Sequence, residues 1–379
     1  MTERSRRRGY LDWMRGLAVV IMVFWHTVDA WTRPADKLTG EFWYCMLIGG
    51  FGAPIFLFLA GVSVALAAGS RLRKATAAQA ASTTDAAPVS PWAAAWPMVK
   101  RGGWIWVLAI LFRLQSDILG GRTSLWQLLT LDVIRQNTIK VDILNVMGPA
   151  ISAAAATWGL ARSSAWRVAA CAIGAAFFAL ATPAIRASTA LDALPDPLEW
   201  YFRPWAGRTT FTLFPWAGFV FAGAALGVLI DRASDAVAER RLITWFGIGG
   251  LAFWGLSTLA AYGPPLFGPS DFWRSSPSFF FIRVGVMTVG IAACYLWEAR
   301  PRLLGSASAF SPMRQFGVTS LFIYWIHVEM AYGGLSKPIH GRLPLPWAIV
   351  AFLLFLAAML GVSVLKSRLA ERWRARRAG

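Results

Sequence analysis

Ten stretches of this chain are mainly apolar and close to the length of a bilayer crossing: 11–31, 43–69, 97–114, 142–161, 166–185, 209–230, 243–262, 278–297, 315–333 and 345–365. Short polar or basic segments separate them. A helix needs about 20 such residues to cross a hydrocarbon core of about 30 Å. The pattern predicts an all-α, polytopic integral membrane protein with about ten transmembrane helices. The first run carries Asp12, Arg15 and His26 and has no small-residue cleavage site after it. It therefore reads as a retained helix and not as a signal peptide.

Between the runs, the stretch 70–96 is rich in Ala, Ser and Thr and contains Pro88 and Pro91. It is expected to be a flexible cytoplasmic linker within a single domain covering 1–379. The connection 115–141 contains SLWQLLTLDVI, apolar at about half its positions, as an interfacial helix would be. No convincing internal repeat is visible, which counts against a transporter built from inverted halves.

Composition agrees with the pattern. The 379 residues are 57% hydrophobic and 15% charged, with mean hydropathy +0.51, whereas soluble domains are about 25% charged. The net charge of +18 raises the question of a nucleic-acid partner, but the basic residues sit in short clusters between apolar runs, as a topology signal does. Arg4 to Arg8, Arg71 to Arg101, Arg240 with Arg241, and the tail from Lys366 all fall on one side if both termini are cytoplasmic. No nucleic acid is expected; the bilayer itself is the partner. Cys45, Cys171 and Cys294 lie in apolar runs without metal spacing, so neither a disulfide framework nor a metal is implied.

Ionisable side chains within apolar runs are the candidates for chemistry, because each costs about 2.5–3.5 kcal/mol at a helix centre. Asp12 and Arg15 share a face near the cytoplasmic end of the first run. They are either an anchoring ion pair or a phosphate-binding group. His26 and Asp29 stand three apart near its other end, where a carboxylate beside an imidazole suits a general base. In FGVTSLFIYWIHVEMAYGG, Ser320, Tyr324 and His327 form one helical stripe, fit for substrate binding, catalysis or helix–helix hydrogen bonding. Glu329 sits off it with its role open. Asp142 and Asn145 in VDILNVMGP are either sugar-binding groups or helix caps.

The ordered blocks YLDWMRGLAVVIMVFWHTVDAW, FGAPIFLFLAGVSVALA, VDILNVMGPAI, FPWAGFVFAGAALGVLI and FGVTSLFIYWIHVEMAYGG resemble bacterial members of the heparan-alpha-glucosaminide N-acetyltransferase-like membrane family. Asp12-x-x-Arg15-Gly16 followed by His26 is also similar to membrane acyltransferases of the acyltransferase-3 type. The resemblance implies transfer of an acyl group, typically acetyl from cytosolic acetyl-CoA, to a sugar or glycan acceptor across the membrane. It implies a functional role for His26. The animal heparan enzyme has its catalytic His in the following outer loop, and residues 32–42 hold none. The implied acceptor is therefore a bacterial-type surface glycan or lipid-linked sugar. The Arg-rich tail and Ala/Arg usage suggest a bacterial inner membrane, with a homodimer open as an assembly. A secondary transporter or lipid-linked sugar flippase is the alternative, since buried His and Asp residues also relay protons.

Overall fold

The computed structural model describes residues 8–81, 88–119, 140–264, 270–303 and 310–378. In chain order the helices are α1 (Gly9–Trp31), α2 (Gly40–Gly49), α3 (Gly52–Ala81), α4 (Pro91–Leu119), α5 (Ile143–Leu160) and α6 (Ser164–Leu180). The short helices Thr182–Ala187 and Asp196–Glu199 lead to α7 (Leu213–Arg232) and α8 (Ala236–Ala261). The remainder are α9 (Pro277–Leu303), α10 (Pro312–Val318), α11 (Ser320–Tyr332) and α12 (Leu345–Ala378). No strand forms among the described residues, only isolated bridges of Thr32 with Leu343 and Val141 with Thr209.

Every predicted apolar run falls on helix. Seven stretches of the described residues are long and apolar enough to cross a membrane: Gly9–Trp31, Gly40–Ala81, Ile143–Leu160, Leu213–Arg232, Ala236–Ala261, Pro277–Ala299 and Leu345–Arg377. The other three expected spans fall on α4, which carries Lys100, Arg101 and Arg113, on the 17-residue α6, and on α10–α11. The run 43–69 divides between α2 and α3 at Gly50, and the run 315–333 divides at Thr319. Of the stretch 70–96, residues 70–81 continue α3 and 91–96 open α4, while 82–87 lie outside the described residues. So does SLWQLLTLDVI.

Contacts gather the chain into two compact units, the first from the described parts of 8–56 and 290–378, the second from those of 57–118 and 140–289. In the first, α1 packs against α2, α10, α11 and α12. Val19, Met22, Val23, Phe316, Ile323, Phe352 and Met359 form its buried core. Two glycines set the approach of α1 and α10. A Cβ at Gly16 would stand 1.8 Å from the Met313 carbonyl oxygen, and one at Gly317 would stand 1.9 Å from that of Asp12. Only glycine allows backbones this close, where Cα–H groups face carbonyls. Further along, His26 meets His327, and Trp31 Nε1 donates to the Ala331 carbonyl at 3.1 Å. Partners thus keep a nearly constant offset of 300 or 301 residues, so α1 runs parallel to α10–α11.

The break at Thr319 is satisfied by side chains. Thr319 Oγ1 donates back to the Gln315 carbonyl at 3.0 Å and lies 2.6 Å from Ser363 Oγ on α12. Gln315 Nε2 donates to the Ser363 carbonyl and to Ser367 Oγ, both at 2.9 Å. Thr319 and Ser363 are buried, so these bonds replace water for groups that a helix interruption leaves open. At the far end of α1, Arg33 N donates to the Leu343 carbonyl and Leu343 N to the Trp31 carbonyl. Asp36 caps α12 by accepting from Leu345 N at 2.8 Å.

The second unit repeats the close approach: Cβ atoms at Gly61 and Gly223 would stand 1.8 Å from the carbonyls of Val220 and Phe58. Its core packs Trp158 among Ala65, Ala68, Ala94, Ala95 and Val228. The Arg167 guanidinium lies 3.9 Å from the Trp158 ring centroid.

Two outcomes follow from this packing. Gly317→Ala drives a methyl into the Asp12 carbonyl and should destabilise the detergent-solubilised protein by about 1–3 kcal/mol. Gly361→Ala on α12, with open space around its Cα, should leave it unchanged or slightly more stable; paired thermal melts compare the two. The Leu345 N–H, then Arg33, hold the Asp36 carboxyl below its usual value of 3.8. A depressed folded value contributes stability at higher pH and loses it as pH falls through that value. Thermal stability should therefore decline below about pH 4, and Asp36→Ala should flatten that part of the profile.

Candidate functional site

The parallel register of α1 and α11 brings two histidines from separate apolar runs together. His26 Nδ1 lies 2.8 Å from His327 Nε2, and the rings are within 3° of parallel with centroids 5.1 Å apart. His327 is fully buried, on the α11 face that also buries Ile323 and Ala331, each one turn away. Its Nδ1 lies 2.8 Å from the Ile323 carbonyl oxygen.

Donor logic orders the protons. A carbonyl oxygen only accepts, so His327 Nδ1 carries the hydrogen and donates it. In the neutral ring Nε2 then holds the lone pair and accepts, so His26 Nδ1 is the donor between the rings. The His26 proton is thereby assigned to Nδ1, and its basic lone pair to Nε2. The backbone of α11 selects this tautomer through one intervening imidazole.

Asp29 does something other than the orienting role expected from its spacing. Its Oδ1 is 3.0 Å from Lys37 Nζ, and its Oδ2 accepts from the Tyr332 hydroxyl at 3.4 Å. The Tyr332 ring stands 5.6 Å from that of His26 and 6.4 Å from that of His340. The acid that sequence spacing set behind His26 thus belongs to a polar cluster one turn beyond it, and the partner of His26 Nδ1 is His327. Sequence reading did not find Lys37 or Tyr332. Lys37 follows the helix in a turn with no periodic signal, and Tyr332 is five residues past His327, off its stripe.

Asp12 and Arg15 form the intrahelical pair, with Nη1 to Oδ1 at 2.8 Å; Asp12 is buried and Arg15 half-buried. The rise of α1 separates Arg15 from His26 by about 16 Å. Tyr324 is half-buried with its ring 6.0 Å from His327. Ser320 opens α11, two turns before His327 and about 10 Å along the axis. Glu329 is half-buried on another face of α11.

Asp142 and Asn145 belong to the second unit and close a reciprocal cap on α5. Asp142 Oδ1 accepts from Ile143 N at 3.0 Å, and Asn145 Oδ1 accepts from Asp142 N at 3.1 Å. Asp142 also pairs with Arg113 at 2.5 Å. Their side chains are thus engaged as caps, the commoner use of these residues at a helix start.

No curated protein matches the chain. Residues 8–84 match the family model of the acyltransferase-3 type, described as an acyltransferase domain. The matched stretch holds Asp12, Arg15, His26 and Asp29, and it supports membrane acyltransferase activity for this chain.

Proposed function

We propose that this protein transfers an acetyl or related acyl group from cytosolic acyl-CoA to a hydroxyl or amine of a sugar or glycan on the outer side of a bacterial inner membrane. The observation that carries the reading is the hydrogen-bonded series from the Ile323 carbonyl through His327 to His26. It places the His26 proton on Nδ1 and the lone pair on Nε2, the form that general-base catalysis uses. The acyltransferase-3 match over residues 8–84 supports the reaction class. The likeness of the later blocks to heparan-alpha-glucosaminide N-acetyltransferase-like proteins supports the acceptor class.

Both termini are taken as cytoplasmic, on the distribution of Lys and Arg. Arg15, steadied by Asp12, then lies near the cytoplasmic face and offers a planar fork to the donor's phosphates. The pantetheine arm follows α1 towards His26. Asp29, Lys37 and Tyr332, one turn further on, supply groups suited to sugar hydroxyls, with Tyr324 beside the pair.

In the reaction, the acceptor oxygen or nitrogen attacks the thioester carbonyl carbon while its proton passes to His26 Nε2. The new C–O or C–N bond forms, the C–S bond breaks, and the departing thiolate takes that proton back from Nε2. His327 is fully buried, and a charge placed there would be costly. The proton therefore remains on His26 between the two steps, and His327 acts as a positioning residue.

With radiolabelled acetyl-CoA and a purified glycan acceptor, His26→Ala should lower turnover by about 10²- to 10⁴-fold. A folded His26→Ala protein with the wild-type rate would overturn the reading. His327→Phe should lower kcat with little change in KM, whereas His327→Gln, whose amide oxygen still accepts from His26 Nδ1, should recover much of it. Calorimetric titration of acetyl-CoA should show binding weakened roughly tenfold or more by Arg15→Ala. Equal affinity in the two proteins would remove Arg15 from the donor site.

A further inference from the structure

The second unit contains a cation that the proposed reaction does not use. Arg283 lies in the second turn of α9, inside an apolar run expected to cross the membrane. Its guanidinium carbon is 4.0 Å from the Phe279 ring centroid and 5.8 Å from that of Trp216. Trp216 is held in turn by Phe211, centroids 4.6 Å apart, and by Phe219 at 5.8 Å. The Arg283 Nε is buried without a hydrogen-bond partner. No carboxylate stands within ion-pair distance of Arg283 among the described residues. Aromatic faces stabilise the cation from above its plane, but they leave the N–H donors around its edge unanswered.

The segment that carries Trp216 meets a second arginine. Arg186 Nη2 donates to Thr212 Oγ1 at 3.2 Å and to the Phe214 carbonyl at 3.1 Å, and its Nε is also buried without a partner. The elbow Thr212–Trp216, extended at Phe214 before α7 continues, is therefore in contact with two guanidinium groups, and among the described residues neither stands within ion-pair distance of a carboxylate. An ionisable group kept in such a setting is functional by default, and the ligand that the open N–H groups of Arg186 and Arg283 suit is an anion.

We propose that this elbow is a phosphate-binding site anchored by Arg283. Guanidinium edges match phosphate oxygens in geometry, and a ring-stacked arginine keeps its fork in one orientation. The elbow lies at the start of α7 and within two turns of the start of α9, at helix ends, where phosphate esters of membrane lipids reside. Two guanidinium groups on one elbow suit a phosphate ester better than a single carboxylate. Such an ester comes either from a lipid headgroup or from a water-soluble phosphorylated compound.

Full-length protein in neutral detergent separates the sources by thermal shift. It is titrated with phosphatidylglycerol in mixed micelles, with diacylglycerol as the phosphate-free control, and with inorganic pyrophosphate. Saturable stabilisation by phosphatidylglycerol alone assigns a lipid phosphate; stabilisation by pyrophosphate assigns a soluble one. In either case Arg283→Gln should weaken binding roughly tenfold to a hundredfold, and Arg283→Lys should restore part of it. The proposal is overturned if diacylglycerol acts as well as phosphatidylglycerol while pyrophosphate has no effect. Unchanged affinity in a folded Arg283→Gln protein overturns it too. If that variant does not fold, the wild-type titrations decide, with no saturable response to either phosphate probe counting against the site.

Discussion

The close approach of α1 and α10 is the constraint on which the first unit rests. Gly16 and Gly317 each face the backbone of the other helix, and in a membrane such contact replaces the water-driven burial that holds soluble helices together. With the backbones locked at that point, the parallel course of the helices fixes what meets beyond it. His26 is ten residues past Gly16, and His327 is ten residues past Gly317. The two imidazoles arrive together because the spacers are equal. The hydrogen bonds of Gln315 and Thr319 with Ser363 hold the register across the interruption between α10 and α11.

The histidine pair shows how a buried polar group becomes specific. Alone, either imidazole has two neutral forms, and a base needs one of them. A backbone carbonyl cannot donate, so the Ile323 contact removes the ambiguity at His327, and His327 removes it at His26. The tautomer of the pair is thus set by a neutral backbone carbonyl, passed on through one imidazole to the next.

Much of the helical architecture was legible from the sequence because a membrane helix announces itself by length and apolarity, and each apolar run fell on helix. The helix cap at Asp142 and Asn145 was legible for a local reason, since Asp and Asn three apart satisfy the open donors of a first turn. Contacts across the chain were not legible. His26 and His327 stand out as intramembrane ionisable residues, but their meeting depends on a register set by two glycines among 34. Asp29 misled for the same reason: three-residue spacing put it near His26, while Lys37 and Tyr332 held its carboxylate. The interruption at Thr319 was hidden because part of its hydrogen bonding comes from Ser363 on α12, forty-four residues away.

The equal spacers also bear on how such a chain can diverge. Exchanging one apolar residue for another between Gly16 and His26 leaves the helix length alone, so the imidazole keeps its place. Inserting or deleting a single residue there would turn His26 by about 100° and move it about 1.5 Å along the axis. Only a matching change of length between Gly317 and His327 would bring the rings back together. Related chains that keep this pairing should therefore vary freely in side chains across these two segments while their lengths change together or not at all.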